Sequence, residues 1–224
     1  LHMRGGRRVV NEKAYPDVEE FWRDITLAYR QEIADLAKAG LQYLQIDDVS
    51  FACLCDEEIR GQVRRDGEDP GRLPAKYVSV INDLLKDRPK NLGVTMHTCR
   101  GNHASMWMAE GGYDAVAEAV FQTEVDGFFL EYDTARAGGF EPLRFVPKGK
   151  KVVLGLVSTK TPVLESKDLL KKRVEAAAKY VPLENLCLSP QCGFASSEVG
   201  NKLTADDQQR KLELVVETAR EIWG

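Results

Sequence analysis

The stretch GVTMHTC (residues 93–99) decides how the rest of the chain is read. Taken as a strand up to His97, it sets His97 and Cys99 two residues apart, so an imidazole and a thiol project from one face at the strand's end. Both are good zinc ligands. Two further predicted strands finish in compatible chemistry: GFFLEYD (127–133) carries Glu131, and LCLSPQC (186–192) leads to Cys192. Each residue alone also has a plain structural reading. A His-x-Cys pair is commonly a packed histidine beside an inert thiol, and a single cysteine behaves as a small buried hydrophobe. Glu131, following Phe128, Phe129 and Leu130, enters a buried place and needs a partner to offset its desolvation. What joins the four is position, because all fall at the carboxyl ends of successive strands, where parallel α/β folds carry their sites.

Outward from this stretch the chain alternates strand and helix. Asp17 with Glu20 fits a capping box, apolar positions recur at Phe21, Ile25, Ala28, Leu36 and Ala37, and Gly40 closes that helix. The strand LQYLQID (41–47) ends in Asp47 and Asp48; Asp48 has the ordinary role of capping the next loop, and Asp47 alternates with Tyr43 and Gln45 and points inward. A polar excursion with DGEDPGRLP (66–74) reads as a loop over the site or an edge insertion, before a helix near 75–85. Beyond Cys99, Arg100 is a candidate for a substrate carboxylate or for a surface salt bridge, and His103 lies past the strand end. A helical region follows over about 104–122, with a possible break at Gly111 and Gly112. KVVLGLV (151–157) is a near-continuous apolar run, as a parallel strand buried on both faces should be. It delivers Ser158 and Lys160 near the same mouth, and Asp133 stands there at the end of its own strand. Ser166 starts a helix to about Tyr180, and Thr204 or Asp206 caps a last helix that runs to Trp223.

Five strands alternating with helices predict an α/β fold with a parallel sheet. A (β/α)8 TIM barrel needs eight, so about three are lacking on this count. Together with the abrupt opening LHMRGGRRVV (1–10), that leads us to expect an incomplete barrel whose amino-terminal strands are missing, with residues 1–224 forming one domain. At 224 residues, 43% apolar, the chain suffices for one sizeable core, and its formal charge of −4 with scattered basic residues gives no reason to expect nucleic acid. No apolar run approaches a membrane span and no export signal opens the chain, so the cytoplasm is the expected location. Five cysteines without such a signal point away from a disulfide framework; Cys53 and Cys55 read as loop or core thiols.

His97-Thr98-Cys99 followed by Asn102, Leu130-Glu131, GLVSTKTP (155–162) and SPQCG (189–193), with QIDD (45–48), together resemble the carboxy-terminal catalytic barrel of cobalamin-independent methionine synthase. The likeness covers nearly the whole chain. It implies a (β/α)8 barrel whose zinc (Zn2+) is held by His97, Cys99, Glu131 and Cys192. It also implies that Asp47 holds the amino group of homocysteine; Asp133, Ser158 and Lys160, from their places near the mouth, are further candidate substrate contacts. Lys160 stands where that family has a histidine implicated in proton handling, a departure bearing on the methyl donor. The chemistry implied is alkyl transfer: zinc deprotonates an incoming thiol, and two cysteinates with one glutamate leave the site at a formal charge of about −1, keeping the sulfur nucleophilic. Glu131, the hard oxygen donor among softer ones, is the ligand expected to loosen. The expected partners are a small-molecule thiol and a methyl donor such as a methylfolate, with a partner chain or self-association completing the barrel. Alkyl transfer to another thiol from a corrinoid or epoxide, a non-catalytic zinc-binding fragment, and a metal-free barrel are the alternatives.

Overall fold

The computed structural model describes residues 9–224, so the lead-in expected over 1–10 lies almost wholly outside the described residues. Strands β1 (Tyr43–Asp48), β2 (Gly93–Thr98), β3 (Gly127–Glu131), β4 (Lys151–Val157) and β5 (Leu186–Pro190) form one parallel sheet in sequential order. A doubly wound sheet reverses its order at a switch point, whereas a barrel lays each strand beside the last. The unbroken order from β1 to β5 is therefore the winding of a barrel, and five strands make an arc of the eight that closure requires. Helices α1 (Val18–Lys38), α2 (Ser50–Cys53), α3 (Glu57–Arg65), α4 (Leu73–Leu85), α5 (Ala117–Val120), α6 (Lys167–Ala177) and α7 (Ala205–Trp223) accompany the sheet. None of the described helices is long and apolar enough to cross a membrane.

The two faces of the sheet differ sharply. On the helix side, Val94, Met96, Phe128, Leu130, Val152 and Leu154 are buried in one cluster with Tyr77, Ile81 and Leu84 of α4, Val120 of α5 and Leu170 of α6. The opposite face carries a row in register across all five strands: Asp47, His97, Phe129, Val153 and Cys187. At β1 that face is exposed, through Tyr43, Gln45 and Asp47. Glu131, paired with Gly155, stands one rung nearer the carboxyl end than His97 on the same face.

Several local expectations are corrected. Asp17 caps α1 through the Glu19 N–H (2.9 Å), while Glu20 turns to Arg23 (3.5 Å) and forms no box. The excursion after β1 contains α2 and α3, the latter capped by Asp56, which accepts from the N–H groups of Glu58 and Ile59. Over 104–122 only a 3-10 turn at Tyr113–Ala115 and the short α5 are helical. Ala104 and Ser105 have positive φ (47° and 67°), a region side chains adopt at a cost, so helix cannot run through them. That segment is instead an extended loop whose backbone is held by partners far along the chain.

Candidate metal centre

Each donor is placed by a different device. Beyond β2, the Cys99 N–H donates to the Asp48 carbonyl (2.7 Å), which keeps the chain alongside β1 for one residue past the strand. The next N–H, that of Arg100, donates to Glu131 Oε1 (3.1 Å). The Glu131 N–H in turn donates to Tyr113 Oη (3.1 Å), which also bonds Thr98 Oγ1 (3.1 Å). Cys192 is set by its neighbour: the Gln191 N–H donates to the Val157 carbonyl (2.8 Å), and its Oε1 accepts from both the N–H and the hydroxyl of Thr159 (2.7 Å each). This crossing is close enough to require glycine at 155, where a Cβ would lie 2.7 Å from Gln191 Cα and 3.0 Å from the Leu130 carbonyl.

The outcome is convergence. One donor atom each from His97, Cys99, Glu131 and Cys192 lies within 4.8 Å of all the others. His97 Nε2 is 3.6 Å from Glu131 Oε1, and the two sulfurs are 3.7 Å apart. Tetrahedral zinc, with bonds of about 2.0–2.3 Å, spaces its ligand atoms about 3.3–3.8 Å apart, so these two pairs stand at coordination distance. Among the described residues, His97 Nε2 is moreover buried without a hydrogen bond of good geometry, an arrangement that buried polar atoms rarely keep and that a metal ion would satisfy. The donor set of one imidazole, two thiols and one carboxylate fits zinc.

The electrostatics are those of crowded anions. Burial pushes the Glu131 carboxyl above its usual range, and the Cys192 thiolate adds to the push. For His97, burial works against the imidazolium, but Cys192, Glu131 and Asp47 outweigh it and raise its pKa. The two cysteines share one proton: hydrogen bonding from Cys99 pushes Cys192 down, and the same bond holds Cys99 up. Cations stand around the cluster. Arg136 Nη2 lies 3.5 Å from Glu131 Oε2 and 2.8 Å from Asp133 Oδ1, with its guanidinium over the Trp107 ring (4.7 Å).

Of the residues read from the sequence as substrate contacts, Asp47 alone lines the depression beside the cluster, a space of about 530 Å³ bounded also by Gln45, Phe129 and Ser189. Gln45 donates to Asp47 Oδ1 (2.8 Å). Asp133 is buried against Arg136, Ser158 Oγ accepts from the Lys160 N–H (3.2 Å), and the Lys160 ammonium is spent on backbone and amide oxygens of the loop after Cys99. Arg100 is not at the mouth: it is fully buried with its guanidinium over the Tyr113 ring (4.5 Å), out of reach of a substrate or a surface ion pair. Asp48 caps the following helix through the Phe51 N–H (2.9 Å), while Cys53 and Cys55 are buried free thiols and His103 is exposed. Tyr113 and Arg136 had no distinguishing signal in the sequence; Asn102, quoted above only as part of a motif, proves to link the two cysteine loops.

The family model for the catalytic domain of cobalamin-independent synthases matches residues 10–221. The chain belongs to this family. Among relatives of this synthase domain, the uncharacterized Bacillus subtilis protein YxjH is 48% identical over 211 residues, which are 93% of this chain and 56% of YxjH. The methionine synthase of Pyrococcus abyssi is 25% identical over 182 residues, 80% of this chain and 45% of that protein. A crystal structure from Listeria monocytogenes, described as a candidate vitamin-B12-independent methionine synthase, has 39% identity and a TM-score of 0.74, covering 93% of this chain and 57% of that one. The chain thus spans about half the length of the curated relatives it matches. The structural likeness agrees with the strand order in assigning the five-stranded sheet to a TIM-barrel-type domain.

Proposed function

We propose that this domain holds one zinc ion through His97, Cys99, Glu131 and Cys192, and that the centre prepares a small thiol of the homocysteine type for methylation by a donor such as a methylfolate. The observation that carries the reading is the meeting of those four donor atoms within 4.8 Å at the carboxyl end of the sheet. Zinc bound there would lower the pKa of an incoming thiol while keeping its sulfur electron-rich. The chain's own residues then have distinct tasks. Cys99 and Cys192 bring negative charge and soft donors, so that a bound sulfur stays nucleophilic. Glu131 is the ligand best suited to yield its place, since Arg136 already lies beside its second oxygen (3.5 Å) and can take the carboxylate as it swings. Asp47, exposed on the floor of the depression and oriented by Gln45, is placed to receive the amino group of the thiol substrate. Family membership supports the same reading, because relatives such as the Pyrococcus abyssi protein are named as methionine synthases.

The test pairs metal content with turnover. Purified protein is expected to hold about one zinc per chain by elemental analysis, and Cys192→Ala to hold close to none. Methyl transfer from methyltetrahydropteroylglutamate to homocysteine, followed by methionine release, is expected to vanish with the metal. Full zinc content in Cys192→Ala would refute the ligand set, and zinc-loaded wild type that methylates no thiol would refute the reaction.

A further inference from the structure

Lys160 is almost wholly buried (6% exposed), yet among the described residues no carboxylate hydrogen-bonds its ammonium. Its three protons go to Asn102 Oδ1 (2.5 Å), the Met106 carbonyl (3.0 Å) and the Gly101 carbonyl (3.3 Å). All three acceptors lie in the loop that begins at Cys99. Asn102 continues the chain of bonds: its Nδ2 donates to the Gly193 carbonyl (2.6 Å) and to Ser196 Oγ (2.7 Å), both in the loop that begins at Cys192. The Thr159 hydroxyl reaches the same Gly193 carbonyl (3.2 Å). The amide orientation of Asn102 is fixed by this network, because the flipped form would turn its NH2 toward an ammonium. Three segments that approach only in the fold are thus tied at one point, and the thiols immediately preceding two of them stand 3.7 Å apart.

We propose that Lys160 and Asn102 are positioning residues that hold Cys99 and Cys192 at metal-binding separation before the metal arrives. A buried ammonium is costly, and three neutral acceptors satisfy its protons without balancing its charge. Glu131 and Cys192 are nearby anions that offset part of that cost, although burial still holds the lysine below its usual range. Lys160 therefore acts through the ligands and does not touch substrate. The proposal rests on the reading of the four residues as metal ligands.

The experiment separates the two ideas. Wild type, Lys160→Met, Lys160→Arg and Asn102→Asp are prepared in a Cys187→Ser background, which removes the exposed thiol of β5. Metal-free protein is treated with dibromobimane, which fluoresces when both arms capture thiols, and cobalt(II) is titrated in competition with a chelator while the thiolate-to-cobalt charge-transfer band is recorded. Wild type is expected to cross-link readily and show a band of two-thiolate intensity. Lys160→Met and Asn102→Asp, with unchanged far-ultraviolet circular dichroism, are expected to cross-link several-fold more slowly and to lose about 10–100-fold in cobalt affinity, with a weaker band. Lys160→Arg should recover most of both signals. Asn102→Asp keeps the side chain's size and its bond to Lys160 while replacing the donor to the Gly193 carbonyl with a carboxylate oxygen that repels it, so it decides the matter if Lys160→Met does not fold. Variants that cross-link and bind cobalt like wild type would overturn the proposal and leave the metal centre standing. A wild type that cross-links but develops no thiolate band would remove the metal reading and this proposal with it.

Discussion

Glu131 is wholly buried, and its surroundings divide its polar atoms among separate partners. Oε1 takes the Arg100 N–H and faces His97, Oε2 faces Arg136, and the backbone N–H is taken by Tyr113 Oη. Tyr113→Phe removes that last acceptor and strands a buried N–H, for a cost of about 1–3 kcal/mol; an unchanged urea midpoint would contradict it. Arg100 should stay where it is in this variant, because phenylalanine offers the same ring face. The convergence of His97 and Cys99 was legible because strand alternation fixes which way a residue near a strand end points, so spacing alone sets them on one side. Loop side chains carry no such rule. The sequence puts Lys160 near the mouth and offers Arg100 either a substrate carboxylate or a surface salt bridge, whereas one is turned into the cysteine loop and the other packs against the Tyr113 ring. Asn102 and Gly193 are separated by 91 positions, and nothing local announces their bond.

At the scale of elements, legibility followed local signals. The Ser166 cap of α6 and the Thr204 cap of α7 lie next to the helices they start, and Thr204 with Asp207 completes a reciprocal box. The glycine- and proline-bearing sequence near Pro70 obscured the shorter α2 and α3, whose residues were read as loop. The expected helix over about 104–122 fails in its first part because the loop's dependence on distant partners leaves no trace in its periodicity: the Met106 carbonyl serves Lys160, and the Arg100 carbonyl accepts from Met108 and Ala109. The most demanding contact between elements is that of β4 with the turn leading to Cys192. Gly155→Ala would drive a methyl group against Gln191 Cα and the Leu130 carbonyl. Overpacking of this kind costs about 1–3 kcal/mol. Because the displaced turn carries Cys192, a proposed ligand, metal affinity should fall alongside the unfolding midpoint. Reduced stability with wild-type metal affinity would mean that the position of Cys192 does not depend on this crossing.

Across the whole molecule, sequential strand order with apolar residues turned toward the helices builds a barrel arc, and the opposite face gathers the polar chemistry at its carboxyl end. The fold class was legible because a run such as KVVLGLV reads as a strand buried within a parallel sheet, and because strand and helix alternate along the chain. The four donors come from three strand ends and span residues 97 to 192, so only the correct winding of the sheet can assemble them. The measurement that tests this most directly is X-ray absorption at the zinc K edge on the purified protein. Two sulfur scatterers at about 2.3 Å and two nitrogen or oxygen scatterers at about 2.0–2.2 Å are predicted for the His97, Cys99, Glu131 and Cys192 centre. A zinc shell without sulfur, or protein that retains no zinc after dialysis, would contradict it.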